Sequence, residues 1–277
     1  MLMLLNAGFG EPLPTADLAL IRSLGYQGLR QDVPTAAVAA ALVDNLMAAN
    51  LYALFVIPVA EEDACHEIAH AVAAQIVLRA GAGMGFLEVG NEEDLSGKRW
   101  ARDPAGWALL VRDVKTIADQ HSGGAIEVVS GGVSSLSRQA MGWLERSRVR
   151  ELPVGVGYHQ YRSTPPPDPL DGYNARLDEF RALRDAAGAR ETWMTESGWH
   201  TARRTSGCWP RKRTWAYTDT EVADFLRQEM ARNDEVGARC FVTYQLNDGA
   251  DPANDQDRFG IRRADGTLKP SSRVLLT

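Results

Sequence analysis

The stretch GFLEVGNEED, Gly85–Asp94, ends a strand-like apolar run with the pair Asn91-Glu92, at the point where a parallel strand would give way to a loop. In parallel α/β sheets and barrels the carboxyl ends of the strands face the ligand. A second stretch, ETWMTESGWH from Glu191 to His200, has the same build: a short apolar run, Glu196 at its end, then a glycine. The reading therefore sets Glu92 and Glu196 facing each other across one cleft, and the rest of the chain has to supply the frame.

Outward from these two stretches the chain alternates between strand-like runs and helical spacing. Leu2–Leu5, Gly28–Gln31 and Leu51–Ile57 read as strands, as do Phe86–Gly90, Ile126–Ser130, Val154–Tyr158, Thr192–Thr195 and Cys240–Tyr244. Between them lie amphipathic helices: Leu18, Ile21 and Leu24 share one face, as do Val38, Leu42 and Leu46, and Trp107, Leu110, Val111, Val114 and Ile117. Asp103-Pro104 is a helix start, Ser137–Ser147 a further helix, and Thr218 with Glu221 a capping-box pattern. The eighth helix has only Ser271–Leu276 to come from. Eight strand-then-helix units with no internal break favour one closed (β/α)8 TIM barrel over residues 1–277. A Rossmann sheet is disfavoured because Gly8, Gly10 and Pro12 do not form GxGxxG and no GxxxxGK[ST] occurs.

Composition narrows the function. A chain of 277 residues, 45% apolar and 24% charged, can bury a large core, and a net charge of −6 argues against a general nucleic-acid partner. Cys65, Cys208 and Cys240 cannot all pair and lack CxxC spacing, so no disulfide framework is expected. No apolar run reaches membrane-spanning length, and Met1–Leu5 is too short for a signal peptide. As it stands the chain reads as cytoplasmic, although a chain trimmed of a leader would read the same. None of Lys98, Lys115, Lys212 and Lys269 lies on an expected strand, which disfavours Schiff-base chemistry.

Four polar groups fall at expected strand ends: Arg30, Asn91-Glu92, His159 with Tyr161, and Glu196. Two carboxylates across one opening, with a cation and a phenol nearby, are what a glycosidase needs to run acid and nucleophile chemistry on one bond. An Arg ending strand two, Asn-Glu ending strand four, His-x-Tyr on strand six and Glu ending strand seven resemble the clan A retaining glycoside hydrolases, the superfamily of cellulase-like, β-xylosidase-like and heparanase-like enzymes. By that resemblance Glu92 is the acid/base, Glu196 the nucleophile, Asn91 a ligand of the sugar 2-hydroxyl, and Arg30 and Tyr161 partners of Glu196. It implies a carbohydrate substrate with β linkages and no cofactor. Many clan members have Pro after the acid/base and a Trp ending strand eight; this chain has Glu93 and, near that strand end, Tyr244 or Gln245. Tyr244 and Trp199 are the aromatic candidates for stacking on a sugar, and His159 is counted with the substrate-binding residues.

Three features compete with or extend this reading. The segment His200–Thr218 carries Arg203, Arg204, Arg211, Lys212 and Arg213 with Trp209 and Trp215, and reads as a solvated loop or as a lid favouring an acidic polysaccharide. Asn247–Asp257 is acidic but lacks EF-hand spacing and reads as a solvated loop. His66-Glu67-Ile68-Ala69-His70 matches the H-E-x-x-H zinc motif, for which Glu88 or Glu92 would be the third ligand. The barrel rhythm instead puts it in an outer helix whose buried stripe is Cys65, Ile68, Ala69, Val72 and Ile76, so no catalytic metal is expected. A barrel that binds glycans without cleaving them is the remaining alternative.

Overall fold

The computed structural model of the chain describes residues 1–8, 10–80, 83–161, 173–188, 191–202, 204–206, 213–251 and 254–276. Eight parallel strands form the frame: β1 (Leu2–Gly8), β2 (Gly28–Asp32), β3 (Tyr52–Ile57), β4 (Gly85–Val89), β5 (Glu127–Ser130), β6 (Val156–Tyr161), β7 (Thr192–Gly198) and, after the short hairpin β8 (Arg204–Ser206) and β9 (Arg213–Trp215), β10 (Cys240–Tyr244). The hydrogen-bonded order is β5-β4-β3-β2-β1-β10-β7-β6. Parallel bridges Val129–Gly155 and Val133–Tyr158 join the two ends, and the sheet becomes a (β/α)8 barrel.

Alternation along each strand makes two cores. Leu4, Leu54, Phe86, Val129, Trp193 and Val242 point inward and fill the lower barrel, with the Phe86 and Trp193 rings 5.1 Å apart edge to face. Their neighbours Leu5, Phe55, Leu87, Met194 and Phe241 point outward, onto the helices. Two residues further along the inward face, Asn6 and Glu88 replace the hydrocarbon of Leu4 and Phe86, and Arg30 is in register with Asn6. The barrel core thus turns polar just below its carboxyl-end mouth.

Seven α-helices lie among the described residues: α1 (Thr15–Ser23), α2 (Ala36–Ala48), α3 (Glu62–Ala80), α4 (Pro104–Ser122), α5 (Arg138–Ser147), α6 (Tyr173–Ala186) and α7 (Asp219–Glu235). Their ends follow local chemistry. The Asp103 carboxylate accepts from the Gly106 N–H at 2.9 Å with Pro104 opening α4, and Gly123, at φ +63°, closes it. Ser137 caps α5, and the Thr218–Glu221 capping box opens α7.

The eighth helix does not form. Pro270–Arg273 makes a single 3-10 turn, with Ser272 N–H donating to the Lys269 carbonyl at 3.0 Å. Pro270 opens the turn and the serines that follow, Ser271 and Ser272, are poor helix formers. What holds this segment is a buried ion pair, Lys269 Nζ to Asp248 Oδ1 at 2.7 Å. Strands β6 and β7 run three residues beyond their expected ends. The segment after β7 is not all loop: β8 and β9 pair antiparallel, although Arg203, Trp209, Arg211 and Lys212 lie outside the described residues. The PPPDP segment between β6 and α6 lies outside them too. Among the described residues no helix is long and apolar enough to cross a membrane.

Candidate active site

Glu196 reaches the barrel mouth because β7 carries an extra residue. Tyr158 pairs with Met194 and His159 with Glu196, while on the other side Phe241 pairs with Met194 and Thr243 with Ser197. Both neighbours therefore skip one residue around Thr195. Simple alternation would give Glu196 the outward direction of Met194; the bulge re-phases the strand.

Glu92 is aimed by the loop after β4. Gly90 has φ +83° and Glu92 itself φ +55°, a left-handed conformation that a residue with a Cβ adopts at a cost of order 1 kcal/mol. Three contacts hold the turn in place. The Glu92 N–H donates to the Gly132 carbonyl at 2.9 Å, and the buried Asp94 carboxylate accepts from Ser134 N–H at 2.8 Å and Ser134 Oγ at 2.7 Å. The carboxylate of Glu93, the residue that follows Glu92 in place of the proline of many clan members, accepts from Asn91 N–H at 3.3 Å.

The two carboxylates meet across His159. One oxygen of each and the His159 Nδ1 all lie within 4.8 Å of one another, with Nδ1 3.0 Å from Glu92 and 3.6 Å from Glu196. Their other partners differ sharply. Glu196 Oε1 accepts from Arg30 Nη1 at 2.5 Å and from Asn6 Nδ2 at 3.4 Å, and Oε2 accepts from the Tyr161 hydroxyl. Each of the other two Arg30 nitrogens also donates, Nε to Glu88 at 2.6 Å and Nη2 to Asn91 Oδ1 at 2.7 Å. Glu88, with no exposure, also accepts from the Gly132 N–H at 3.1 Å.

The electrostatics follow from this wiring. Burial alone would push the Glu196 carboxyl up, but the positive charges of His159 and Arg30 and the Tyr161 hydrogen bond outweigh it and hold the group below the usual carboxylate range. Burial works against a charged His159, and Glu196 and Glu92 reverse it, raising the imidazole above its ordinary value. Burial and the Glu196 charge push the Tyr161 phenol well up, so it stays a donor. Arg30 is held protonated by Glu88 and Glu196 despite its burial.

No family model matches this chain, and no curated protein matches it. Solved structures do. The chain and the cellulose synthase subunit Z of Clostridioides difficile align over 100% of both chains at 11% identity, TM-score 0.67. A glucosidase from Croceicoccus marinus aligns over 98% of this chain and 65% of its own at 16% identity, TM-score 0.69. A Rhizomucor miehei β-1,3-glucanosyltransferase mutant, solved with laminaritriose, aligns over 98% and 96% at 15% identity, TM-score 0.65. The likeness is one of fold.

Of the residues expected from sequence, Arg30, Asn91, Glu92, Tyr161, Glu196 and Tyr244 line one cleft of about 330 Å³, and His159 sits behind it, bridging the carboxylates. Tyr244, Tyr161 and Phe259 pack edge to face at 5.4–5.7 Å as an aromatic wall. Trp199 does not belong. It is 1% exposed and packs on Tyr217 and Phe225, because past the strand end its ring turns to the helix layer. Asn6, Asp32, Gln256 and Phe259 also line the cleft, and sequence reasoning missed them. Asn6, inside β1, and Asp32, the last residue of β2, each lie two residues past an inward-facing position; Gln256 and Phe259 come from the segment after β10, which carries no periodic signal.

The H-E-x-x-H motif lies on α3 as expected, with His70 exposed and its Nδ1 3.0 Å from His121 Nε2 of α4. Neither proposed third ligand reaches it: Glu88 is bonded to Arg30 and Gly132 inside the barrel, and Glu92 is bonded to His159 in its mouth. The zinc-peptidase alternative therefore loses its ligand set. In the Asn247–Asp257 segment, Asp257 accepts from Asp251 N–H at 2.8 Å and Asn254 Nδ2 at 3.0 Å, so its polar groups bond one another. Residues 252–253 lie outside the described set.

Proposed function

We propose that the chain is a retaining glycoside hydrolase acting on β-linked oligo- or polysaccharide, with Glu196 as nucleophile and Glu92 as acid/base. One observation carries the reading: two carboxylates whose oxygens approach within 4.8 Å at the mouth of one barrel, of which only Glu196 is clamped by a guanidinium and a phenol. Retaining enzymes hold the two groups about 5–5.5 Å apart, whereas inverting enzymes need about 6.5–9.5 Å to admit a water. The solved structures of the same fold named for glucosidase and glucanosyltransferase activity support the same chemistry.

In the first step the Glu196 carboxylate attacks the anomeric carbon, the bond to the leaving oxygen breaks, and the proton held on the Glu92–His159 pair passes through Glu92 to that oxygen. Esterification removes the charge on Glu196. Glu92 then takes a proton from water, the hydroxide attacks the same carbon, and the Glu196 ester bond breaks to return the carboxylate. Asn91, fixed by Arg30, presents its amide toward the 2-hydroxyl, and Tyr244 offers a ring face to the sugar.

The two roles are separable. Glu92→Ala retains glycosylation by substrates with good leaving groups and is accelerated by azide, giving a β-glycosyl azide; Glu196→Ala gives, if anything, the α-azide. Azide products of the reverse configuration would exchange the two assignments. Binding of glycans with no turnover of any β-glycoside would establish the non-catalytic alternative instead.

A further inference from the structure

Beside the catalytic cleft lies a second cavity of about 520 Å³ at the ends of β2, β3 and β4. The two share Asp32 and Asn91, so the spaces are adjoining, whereas Glu92, Tyr161 and Tyr244 line only the first. This fixes the direction in which the second cavity extends. Glu196 attacks the anomeric carbon of the glycone, and Glu92 protonates the oxygen that departs with the aglycone. Arg30 and Asn91 are bonded to each other on the Glu196 side, and Asp32 lies two residues beyond Arg30 on the same face of β2. The second cavity is reached past those residues, on the glycone side.

We propose that this cavity binds the sugar unit adjoining the reacting one on the glycone side, and that it takes a neutral, hydroxyl-bearing sugar. The proposal rests on the glycosidase reading. Its walls suit such a ligand: the exposed Pro34 and Pro58 present apolar surface to the C–H faces of a pyranose, backed by the buried Val33, Val56 and Val59, with a few polar groups between them. At the junction the Asp32 side chain makes no hydrogen bond among the described residues, and a half-buried carboxylate of this kind accepts from two vicinal hydroxyls. Charge selects against a uronate. Lys98 faces Glu93 at 3.7 Å, and Arg99 is held by Glu62 at 2.6 Å and the Ala60 carbonyl at 2.8 Å. Each cation among the cavity's described lining residues already has an acid, and Asp32 adds a negative charge. Burial raises the Asp32 carboxyl, with Glu88 and Glu196 adding to it and Arg30 and Lys98 opposing. The enzyme accordingly favours substrates with at least two sugar units on the glycone side.

The test compares 4-nitrophenyl β-glycosides of the gluco, manno and xylo series carrying one sugar unit, two neutral units, or a neutral unit extended by a uronic acid. For the series that is turned over, the neutral two-unit substrate should exceed the one-unit substrate in kcat/KM by about tenfold or more, because remote binding energy is used in the transition state. The uronate-extended substrate should show no such gain. Ala60→Trp, which fills the second cavity, and Asp32→Ala should each bring the two-unit to one-unit ratio toward one. Since the readout is a ratio within one variant, a general loss of folded protein does not mimic it. Equal kcat/KM for one and two units, a ratio unmoved by Ala60→Trp, or a preference for the uronate would overturn this inference and leave the glycosidase reading intact. No turnover of any glycoside, with no binding of any to Glu92→Gln, would overturn both.

Discussion

Arg30 offers the sharpest stability test, because three acceptors converge on a guanidinium that is 2% exposed. Arg30→Met keeps much of the side-chain volume but strands Glu88, which has no exposure and retains, among the described residues, only the Gly132 N–H, and it removes from Glu196 the cation bonded to its Oε1. Taking one partner from a buried ion pair costs about 3–5 kcal/mol, since an uncompensated charge is left in low dielectric. For a chain of this size each kcal/mol lowers Tm by about 2–4 °C, so the variant should melt about 6–20 °C below the parent. Urea unfolding and calorimetry at pH 7 measure it. Adding Glu88→Gln to Arg30→Met should recover ~2 kcal/mol, whereas Glu88→Gln alone should destabilise, because it disrupts an intact pair; the double-mutant cycle isolates that coupling. A loss under about 1 kcal/mol for Arg30→Met, or strictly additive effects in the cycle, would refute the claim that this cluster is held by charge pairing.

Two further outcomes follow from the site. Tyr161→Phe removes a hydrogen bond that favours ionised Glu196, so the acid limb of the kcat/KM–pH profile, which for the parent falls below the ordinary carboxylate value of about 4.3, should move to higher pH. The sign extends to stability. Because the folded-state value is depressed, the Glu196 contribution is present above the unfolded value and lost as pH falls through the folded one; an unmoved acid limb would show that Tyr161 does not set it. Gly132→Ala would place a Cβ 2.3 Å from the His159 ring and 2.5 Å from Thr195 Oγ1, so His159 must shift off the two carboxylates. The variant should lose activity at least about tenfold with a destabilisation of about 1–3 kcal/mol, and parent-like kinetics would show that the position of His159 is immaterial.

Much of this was legible because parallel strands buried on both faces stay apolar until they reach the mouth. In GFLEVGNEED the polar run begins where β4 ends, so Glu92 could be placed without knowing its neighbours. Its backbone turn could not, since a left-handed glutamate is fixed by the Gly132 carbonyl and the Asp94–Ser134 contacts of a distant loop. Glu196 was placed at the right end of β7, but alternation counted from Trp193 turns it outward; only the extra residue at Thr195, visible in the pairing of β6 and β10, turns it in. Glu88 was readable as an inward position two residues past Phe86, yet a buried acid makes sense only once Arg30 is seen across the barrel. Trp199 misled for the opposite reason: an aromatic residue near a strand end has both the sugar and the helix layer open to it, and here Tyr217 and Phe225 take it.

A covalent intermediate on Glu196 is detectable by mass spectrometry of the protein after incubation with an activated 2-deoxy-2-fluoro β-glycoside, which slows the second step more than the first. One glycosyl unit per chain should be found, placed by peptide mapping on Glu196, absent in Glu196→Gln, and released on adding an acceptor sugar, while proton NMR of ordinary turnover should show the β-anomer as first product. A first product of α configuration with no label on Glu196, from an enzyme that does hydrolyse the parent glycoside, would contradict it.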